Sequence, residues 1–94
     1  MPFVYIIRSI KDDSFYIGKT FDLEQRLLYH NTVELNEGTS KWGIPWEYFL
    51  TLEVKSYLLA GKLEKHLKEA HSAEYFMDMV KYPEIGQKLI EEYS

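Results

Sequence analysis

The sequence is organised around residues 15–31, FYIGKTFDLEQRLLYHN. The first three residues are β-rich, and Gly18 follows them, where a missing side chain lets another backbone or a ligand approach closely. Lys19 and Thr20 then supply a cation and a hydroxyl before a helical pattern begins. A strand, a glycine, a cation and a helix in this order favour a site that holds an anion, so we expect Gly18 and Lys19 to bind substrate.

The helix after this junction has a predicted start at Leu23. Asp22 is a good N-cap residue, and Gln25, three residues later, would complete a capping box. Arg26 and His30 are four residues apart and therefore lie one above the other. We expect them on an exposed face away from Leu23 that points at solvent or substrate. The apolar side of the helix is formed by three leucines, Leu23, Leu27 and Leu28.

The composition predicts a soluble globular protein. The chain of 94 residues is 46% hydrophobic and 28% charged, which is typical of a globular rather than a disordered protein. It has no cysteine, which excludes disulfides, thiolate nucleophiles and cysteine-ligated zinc. The apolar run at residues 3–7 is too short for a signal peptide or a membrane span, so we expect a cytoplasmic protein without membrane contact.

Charge is distributed unevenly along the chain. The net charge of −4 argues against simple non-specific binding to nucleic acid, which depends on Lys and Arg. Residues 1–68 nevertheless carry nine acidic and nine basic groups, whereas residues 69–94 carry six acidic groups and two lysines. A phosphate-binding surface can therefore lie on the first part. We assign residues 1–94 to one domain, with a motif-bearing core in residues 2–68 and an acidic helical extension in residues 69–94.

The N-terminal residues predict a β-hairpin. Residues 3–10 are rich in Val, Ile, Phe and Tyr, and the polar group at residues 11–14 separates them from the next β-rich run. With the turn at the centre of this polar group, Tyr16 lies opposite Ser9, and Tyr5 shares a face with Tyr16. A shift of one residue in this register would put the two tyrosines on opposite faces.

The remaining elements follow from composition and periodicity. Residues 32–43 form a polar loop, where we expect variable substrate contacts, including one from Lys41. Glu64 lies about 90° from the centre of the apolar stripe of its helix, a border position from which a carboxylate can face a cleft. The later elements are a strand at residues 46–53, a helix N-capped by Ser56, and two short helices at residues 72–80 and 83–93.

Two tryptophans flank the start of the third strand. Trp42 and Trp46 have flat aromatic side chains, which can stack on nucleic acid bases. Gly43 and Pro45 lie beside them, however, and favour a core role in closing the end of the strand. We therefore predict that both tryptophans are packed in the core.

The chemistry-bearing residues follow an ordered pattern: Val4-Tyr5-Ile6, Tyr16-Ile17-Gly18-Lys19, Arg26, His30 and Glu64. This pattern resembles the GIY-YIG nuclease superfamily, especially its compact single-domain bacterial members. The resemblance covers residues 2–68, and in the first motif Tyr5 stands at the centre of its triplet rather than at the end. It implies an α/β (α+β) fold in which a three-stranded antiparallel sheet is flanked by helices, with extra helices at the C-terminus.

The resemblance also implies hydrolysis of phosphodiester bonds by Tyr5, Tyr16, Arg26, His30 and Glu64. Glu64 would be the protein ligand of Mg²⁺, or of Mn²⁺ in its place, and the metal would polarise the phosphoryl group. Arg26 would donate to phosphate oxygens. Tyr5 would take a proton from water directly or through a relay, Tyr16 would orient water or phosphate, and His30 would assist proton transfer or donate to the phosphate. A phenol near pKa 10 needs neighbouring cations to act as a base.

Three functions are compatible with these features. The first is an endonuclease that is structure-selective rather than sequence-specific, with DNA favoured over RNA. The second is a catalytically inactive relative that binds nucleic acid or a protein through the same cleft, which suits the negative net charge. The third is an interaction module whose acidic segment, residues 74–93, docks on a partner or on a second copy to form a homodimer. Each residue also has an ordinary alternative, as a strand tyrosine or a solvated surface charge.

Overall fold

A computed structural model describes residues 1–94. It contains one antiparallel sheet in which β1 lies between β2 and β3, and helices pack on both faces. The predicted α+β fold is therefore confirmed. The elements in chain order are β1 (Phe3–Ser9), β2 (Phe15–Thr20), α1 (Leu23–Asn31), a 3₁₀ turn (Thr39–Gly43), β3 (Trp46–Glu53), α2 (Tyr57–Ala70), α3 (Ala73–Lys81) and α4 (Pro83–Tyr93).

The two faces of the sheet carry different side chains because successive residues of a strand point in opposite directions. Val4 and Ile6 point from β1 into the larger apolar cluster, which α2, α3 and α4 complete. Tyr5 and Ile7 point to the other face, where they form a smaller cluster with Trp46, and α1 packs against it. The sheet is thus the middle of three layers.

The hairpin keeps the predicted faces but not the predicted pairs. Tyr16 lies opposite Ile7 rather than Ser9, so the register differs from the prediction by two residues. The turn is longer than two residues, and Asp13 in it takes a left-handed φ of 61°, which aspartate tolerates better than most residues. Because a shift of two residues preserves the alternation of faces, Tyr5 and Tyr16 share one face as predicted.

Helix α1 begins where the sequence predicts, but its cap is simpler. Asp22 is the N-cap, and its carboxylate accepts a hydrogen bond of 3.1 Å from the backbone N–H of Gln25. The return bond from the Gln25 side chain is absent, since the N–H of Asp22 donates to Oγ1 of Thr20 instead. The predicted capping box is therefore wrong in its second half, and Thr20 takes over that role.

The acidic C-terminal segment is part of the same apolar packing as the rest of the chain. Helices α3 and α4 are confirmed, and Phe76, Met79 and Leu89 are buried in the cluster that α2 also enters. These three apolar side chains are thus used inside the molecule, whereas Met77 and Val80 of the same segment are exposed. No helix of the chain combines the length and the apolar character that crossing a bilayer requires.

The two tryptophans have different environments. Trp46 is 5% exposed, and its ring covers Gly43 while Nε1 donates to the carbonyl of Ser40 over 2.7 Å. The predicted core role is confirmed for Trp46. Trp42 is 71% exposed, so the same prediction is wrong for it: Trp42 lies in the 3₁₀ turn, whereas Trp46 is the first residue of β3.

Candidate active site

The face of α1 that packs on the sheet carries Arg26 and His30, which we expected on an exposed face that points at solvent or substrate. His30 follows Leu23 by seven residues, which is about two helical turns, so both side chains lie on the same face. His30 is 1% exposed, and Arg26 lies beside it and is half-buried. The predicted exposed face is therefore wrong, and these two residues point at the sheet. Leu28, by contrast, is 52% exposed.

Tyr5 lies at the centre of the site, on the middle strand. Its hydroxyl oxygen accepts a hydrogen bond of 3.1 Å from Nε of Arg26 and lies 2.8 Å from Nε2 of His30. The side chain has no exposed surface. Two residues of α1 therefore meet a strand residue, 21 and 25 positions earlier in the sequence, at one phenolic oxygen.

The space above Gly18 is filled by Tyr5. The two residues are opposite each other in the β1–β2 register, and a Cβ atom at residue 18 would be 2.4 Å from the hydroxyl oxygen of Tyr5. Gly18 was predicted to bind substrate, but it is buried and its missing side chain makes room for the phenol. Its function in this structure is to let Tyr5 reach Arg26 and His30.

A buried polar network extends from His30 into the loop after α1. Nδ1 of His30 is 2.7 Å from Oγ of Ser40, and the Asn36 amide donates to the same oxygen over 2.8 Å. Asn36 also donates to the carbonyl of His30 over 3.0 Å. Burial, and secondarily the charge of Arg26, lowers the pKa of His30 to about 4. The imidazole is therefore neutral at pH 7, with one nitrogen donating and the other accepting between Tyr5 and Ser40.

The same burial affects Tyr5. It raises the pKa of the Tyr5 phenol above its usual value of 10.0, and the hydrogen bond and charge of Arg26 offset this only in part. With no exposed surface, the phenol also has no contact with solvent. The predicted direct transfer of a proton from water to Tyr5 does not fit this arrangement, and neither does a contact between buried His30 and a phosphate.

Arg26 is a half-buried cation without an acidic partner. No carboxylate lies within 4.0 Å of its guanidinium, whereas Arg8 is paired with Glu47 at 2.8 Å. Tyr5 holds Nε of Arg26, and the ring of Tyr29 lies 4.9 Å from its central carbon. The two terminal nitrogens have no protein acceptor, so a fork of donors remains free for an anion.

Tyr16 is the second phenol on this face of the sheet. Its ring packs edge-on against His30 at 5.0 Å and against Trp46 at 6.3 Å, and the residue is half-buried. In contrast to Tyr5, its hydroxyl makes no hydrogen bond within the protein, while the packing of its ring fixes its position. Tyr16 is therefore the phenol that is free to meet a ligand.

Glu64 belongs to a neighbouring group. Alternation along β2 directs Lys19 away from Tyr16, towards α2, where Nζ of Lys19 lies 2.9 Å from Oε1 of Glu64. Nζ of Lys68 lies 3.5 Å from the other carboxylate oxygen. Glu64 makes no hydrogen bond to Arg26 or to either tyrosine, but its charge contributes to raising the pKa of Tyr5. Tyr5, Tyr16, Arg26 and His30 thus form one group, the phenol group, and Lys19, Glu64 and Lys68 form a second, the acid group. The two groups are adjacent across the edge strand β2 rather than in direct contact.

The order of these residues and the fold agree with a known family. Residues 1–77 match the family model described as the GIY-YIG catalytic domain. The chain belongs to the GIY-YIG family. This is a nuclease-type family whose members act on nucleic acid and generally use a divalent metal. Comparisons with curated proteins and with solved structures gave no match.

The acid group fits a metal site with few protein ligands. No three His, Cys, Asp or Glu side chains come together anywhere in the chain, which excludes a site made of three or more of these side chains. Mg²⁺ is often held by one carboxylate, retained water and a substrate phosphate, and Glu64 can supply that carboxylate. Lys19 now contacts one oxygen of Glu64, so an ion would share this carboxylate with a lysine or displace it.

The loop after α1 contributes Asn36, which was not predicted, and Ser40, which lies in the loop where we expected substrate contacts. Lys41 was predicted to bind substrate, but it is exposed and its ammonium lies 5.1 Å from the centre of the Trp42 ring, with no contact to Tyr5 or Arg26. Asn36 and Ser40 are instead the loop residues that enter this GIY-YIG site. Their only signal in the sequence was their place in a polar loop, and polar loop residues show no periodicity.

Proposed function

We propose that this protein is an endonuclease that hydrolyses phosphodiester bonds with a divalent metal, Mg²⁺ in the first instance and Mn²⁺ as a substitute. The observation that carries the proposal is the free guanidinium of Arg26, half-buried on the sheet face that also holds Tyr16. The family match supports the nuclease class. DNA with a branch, nick or unpaired region is the substrate we propose, with residues 1–94 acting as one domain.

Arg26 would bind the scissile phosphate. Its charge is not neutralised by a carboxylate, and its Nε–H is already used by Tyr5, so its orientation is set before substrate arrives. The two remaining nitrogens can donate side by side to two phosphate oxygens. Negative charge builds up on these oxygens as water attacks phosphorus, and donors that are already in position stabilise that charge without having to reorganise.

The two tyrosines would have different tasks. Tyr16 has a free hydroxyl beside Arg26 and would orient the attacking water or the phosphate. Tyr5 would act as a positioning residue, since its oxygen is buried and holds both Arg26 and His30. His30, neutral at pH 7, would fix Tyr5 through the network that includes Ser40. Because Tyr5 is buried, it would take the proton of the attacking water only through a relay, which is one of the two routes that the family resemblance implied, and it would also hold the arginine.

Glu64 would hold the metal, and Lys19 would control access to it. When bound, a divalent ion supplies charge that polarises the phosphoryl group and stabilises the leaving oxygen. Lys19 now neutralises Glu64, which also raises the pKa of Lys19 through their hydrogen bond. Arrival of a phosphate would offer Lys19 a second anionic partner, and its ammonium could then contact substrate, as the sequence analysis expected.

A cleavage assay on a panel of substrates tests the proposed function. Branched, nicked, single-stranded and intact duplex DNA, with matching RNA, are incubated with the full chain and Mg²⁺ or EDTA. Glu64→Gln removes the proposed ligand, and Glu69→Gln removes an exposed acid of the same helix as a charge-matched control. We expect cleavage that needs metal, is lost in Glu64→Gln and is kept in Glu69→Gln. Equal activity of the two variants would contradict the assignment of Glu64.

A catalytically inactive nucleic-acid-binding protein is the second candidate. It is favoured by the contacts of Glu64, both of whose oxygens face a lysine, and by the complete burial of Tyr5. This candidate predicts binding without cleavage under every metal condition. Binding measured against salt distinguishes it from a protein-interaction module, because binding to phosphates weakens steeply as salt rises.

A further inference from the structure

Two exposed aromatic rings lie next to the acid group. Phe21 follows β2 and is 65% exposed, and Tyr57, the first residue of α2, is 46% exposed. Their rings are 5.0 Å apart and inclined by only 8°. Every other aromatic pair in the chain is edge-on or tilted. A parallel pair that is held in solvent is therefore a distinct feature of this surface.

The ring pair is connected to the candidate active site by Lys19. Nζ of Lys19 lies 5.2 Å from the centre of the Tyr57 ring and 2.9 Å from Oε1 of Glu64. From the site outwards, the Glu64 carboxylate is thus followed by the Lys19 ammonium and then by the rings of Tyr57 and Phe21. Phe21 is the outermost member: one face of its ring meets Tyr57, and at 65% exposure much of the rest of the residue is in contact with solvent.

The geometry points to a binding site for one unpaired nucleobase on the open face of Phe21. We name Phe21 and Tyr57 the ring platform. A base is flat and stacks on an aromatic ring whatever its identity, and the exposed ring of Phe21 offers a flat face of this kind. The neighbouring ammonium of Lys19 suits the phosphate of the nucleotide that carries this base, or of the next nucleotide in the strand. The inference rests on the proposed function and adds that the substrate has an unpaired base next to the cleavage site.

An oligonucleotide that carries the fluorescent base analogue 2-aminopurine tests the ring platform. The full chain is titrated in EDTA, so that binding is measured without cleavage, with a single strand and with an intact duplex of the same sequence. Phe21→Ala should weaken single-strand binding about 10-fold or more and reduce quenching of the analogue, whereas duplex binding should stay within about 2-fold. Phe21→Trp should preserve both signals, because it keeps a flat ring.

Leu58→Ala is the matched control, because Leu58 is 73% exposed and follows Tyr57 directly but has no π face. Equal weakening by Leu58→Ala and Phe21→Ala would show a general apolar contact and overturn stacking. Unchanged single-strand binding by Phe21→Ala, with the wild type binding normally, would overturn the ring platform and leave the proposed nuclease function intact. If the wild type binds no nucleic acid at all, the proposed function and the platform both fail.

Discussion

Nζ of Lys19 lies 2.9 Å from Oε1 of Glu64, and this pair joins the edge strand β2 to helix α2. The Glu64 side chain is 16% exposed, so the contact is partly shielded from water. The only acid that the proposed mechanism assigns to the metal is therefore neutralised in the unbound protein. A cation and the Lys19 ammonium would compete for the same oxygen.

Removal of the Lys19 charge should strengthen metal binding. Lys19→Met keeps the length of the side chain but leaves Oε1 of Glu64 without its partner, so we expect Mn²⁺ to bind several-fold more tightly. Titration calorimetry or the electron paramagnetic resonance signal of free Mn²⁺ measures this directly. Lys68→Met is the control, because Lys68 is more exposed and lies farther away, at 3.5 Å, and it should have a smaller effect. Weaker Mn²⁺ binding by Lys19→Met would contradict the competition.

Substitution of Gly18 should displace Tyr5. A Cβ atom in Gly18→Ala would be 2.4 Å from the Tyr5 hydroxyl, so the ring must move away from Arg26 and His30. We expect a loss of about 1–3 kcal/mol in the free energy of unfolding, measured with urea. Gly61→Ala is the control, since no atom lies within 4 Å of the new methyl group, and it should stabilise the helix by up to about 1 kcal/mol.

The two tyrosines should differ when each hydroxyl is removed. Tyr5→Phe leaves Arg26 and His30 without their shared partner and should lower the free energy of unfolding by about 1–3 kcal/mol. Tyr16→Phe breaks no hydrogen bond and should change stability by less than about 0.5 kcal/mol, while cleavage is strongly reduced. Urea unfolding and cleavage rates on the same preparations test both statements. A stable, fully active Tyr16→Phe variant would contradict the role of Tyr16.

The buried imidazole should make stability depend on pH. The pKa of His30 is about 4 in the folded protein and near 6.5 in the unfolded chain, so below pH 6.5 the unfolded chain binds the extra proton. Stability is therefore lost as the pH falls from 6.5 towards 4, by about 1 kcal/mol between pH 7.5 and 5.5. Urea unfolding at these two pH values should show this loss in the wild type and not in His30→Gln. An equal loss in both proteins would assign the effect to other groups.

The strands and the helices could be predicted from the sequence because they depend on local patterns. Alternation marked the strands, and Asp22, Ser56 and Ser72 cap three helices with their side chains. The hairpin register was off by two residues, because Asp13 allows a longer turn that no periodicity reveals. The shared face of the tyrosines survived that error, since faces depend only on whether the shift is even.

The candidate site was predicted less completely. The family pattern found Tyr5, Arg26 and His30, but we predicted the wrong face of α1 for Arg26 and His30, although the spacing of seven residues from Leu23 to His30 already indicates one shared face. His30 is buried because Ser40 and Asn36 supply hydrogen bonds from a loop, and such contacts between distant residues leave no regular pattern in a single sequence. For the same reason, nothing in the sequence indicated that the Tyr5 ring would fill the space at Gly18.

In the proposed mechanism the charge of Arg26 is kept for the scissile phosphate, and a comparison of two arginine variants tests this role. Single-turnover cleavage of branched DNA with Mg²⁺ is measured for the wild type, for Arg26→Gln and for Arg8→Gln, with circular dichroism to confirm folding. Arg8 is the control because Glu47 already neutralises it. We predict that the cleavage rate falls at least about 100-fold in Arg26→Gln and changes by no more than about 3-fold in Arg8→Gln. Equal cleavage rates for the two folded variants, or no cleavage by the wild type, would contradict the proposed role of Arg26.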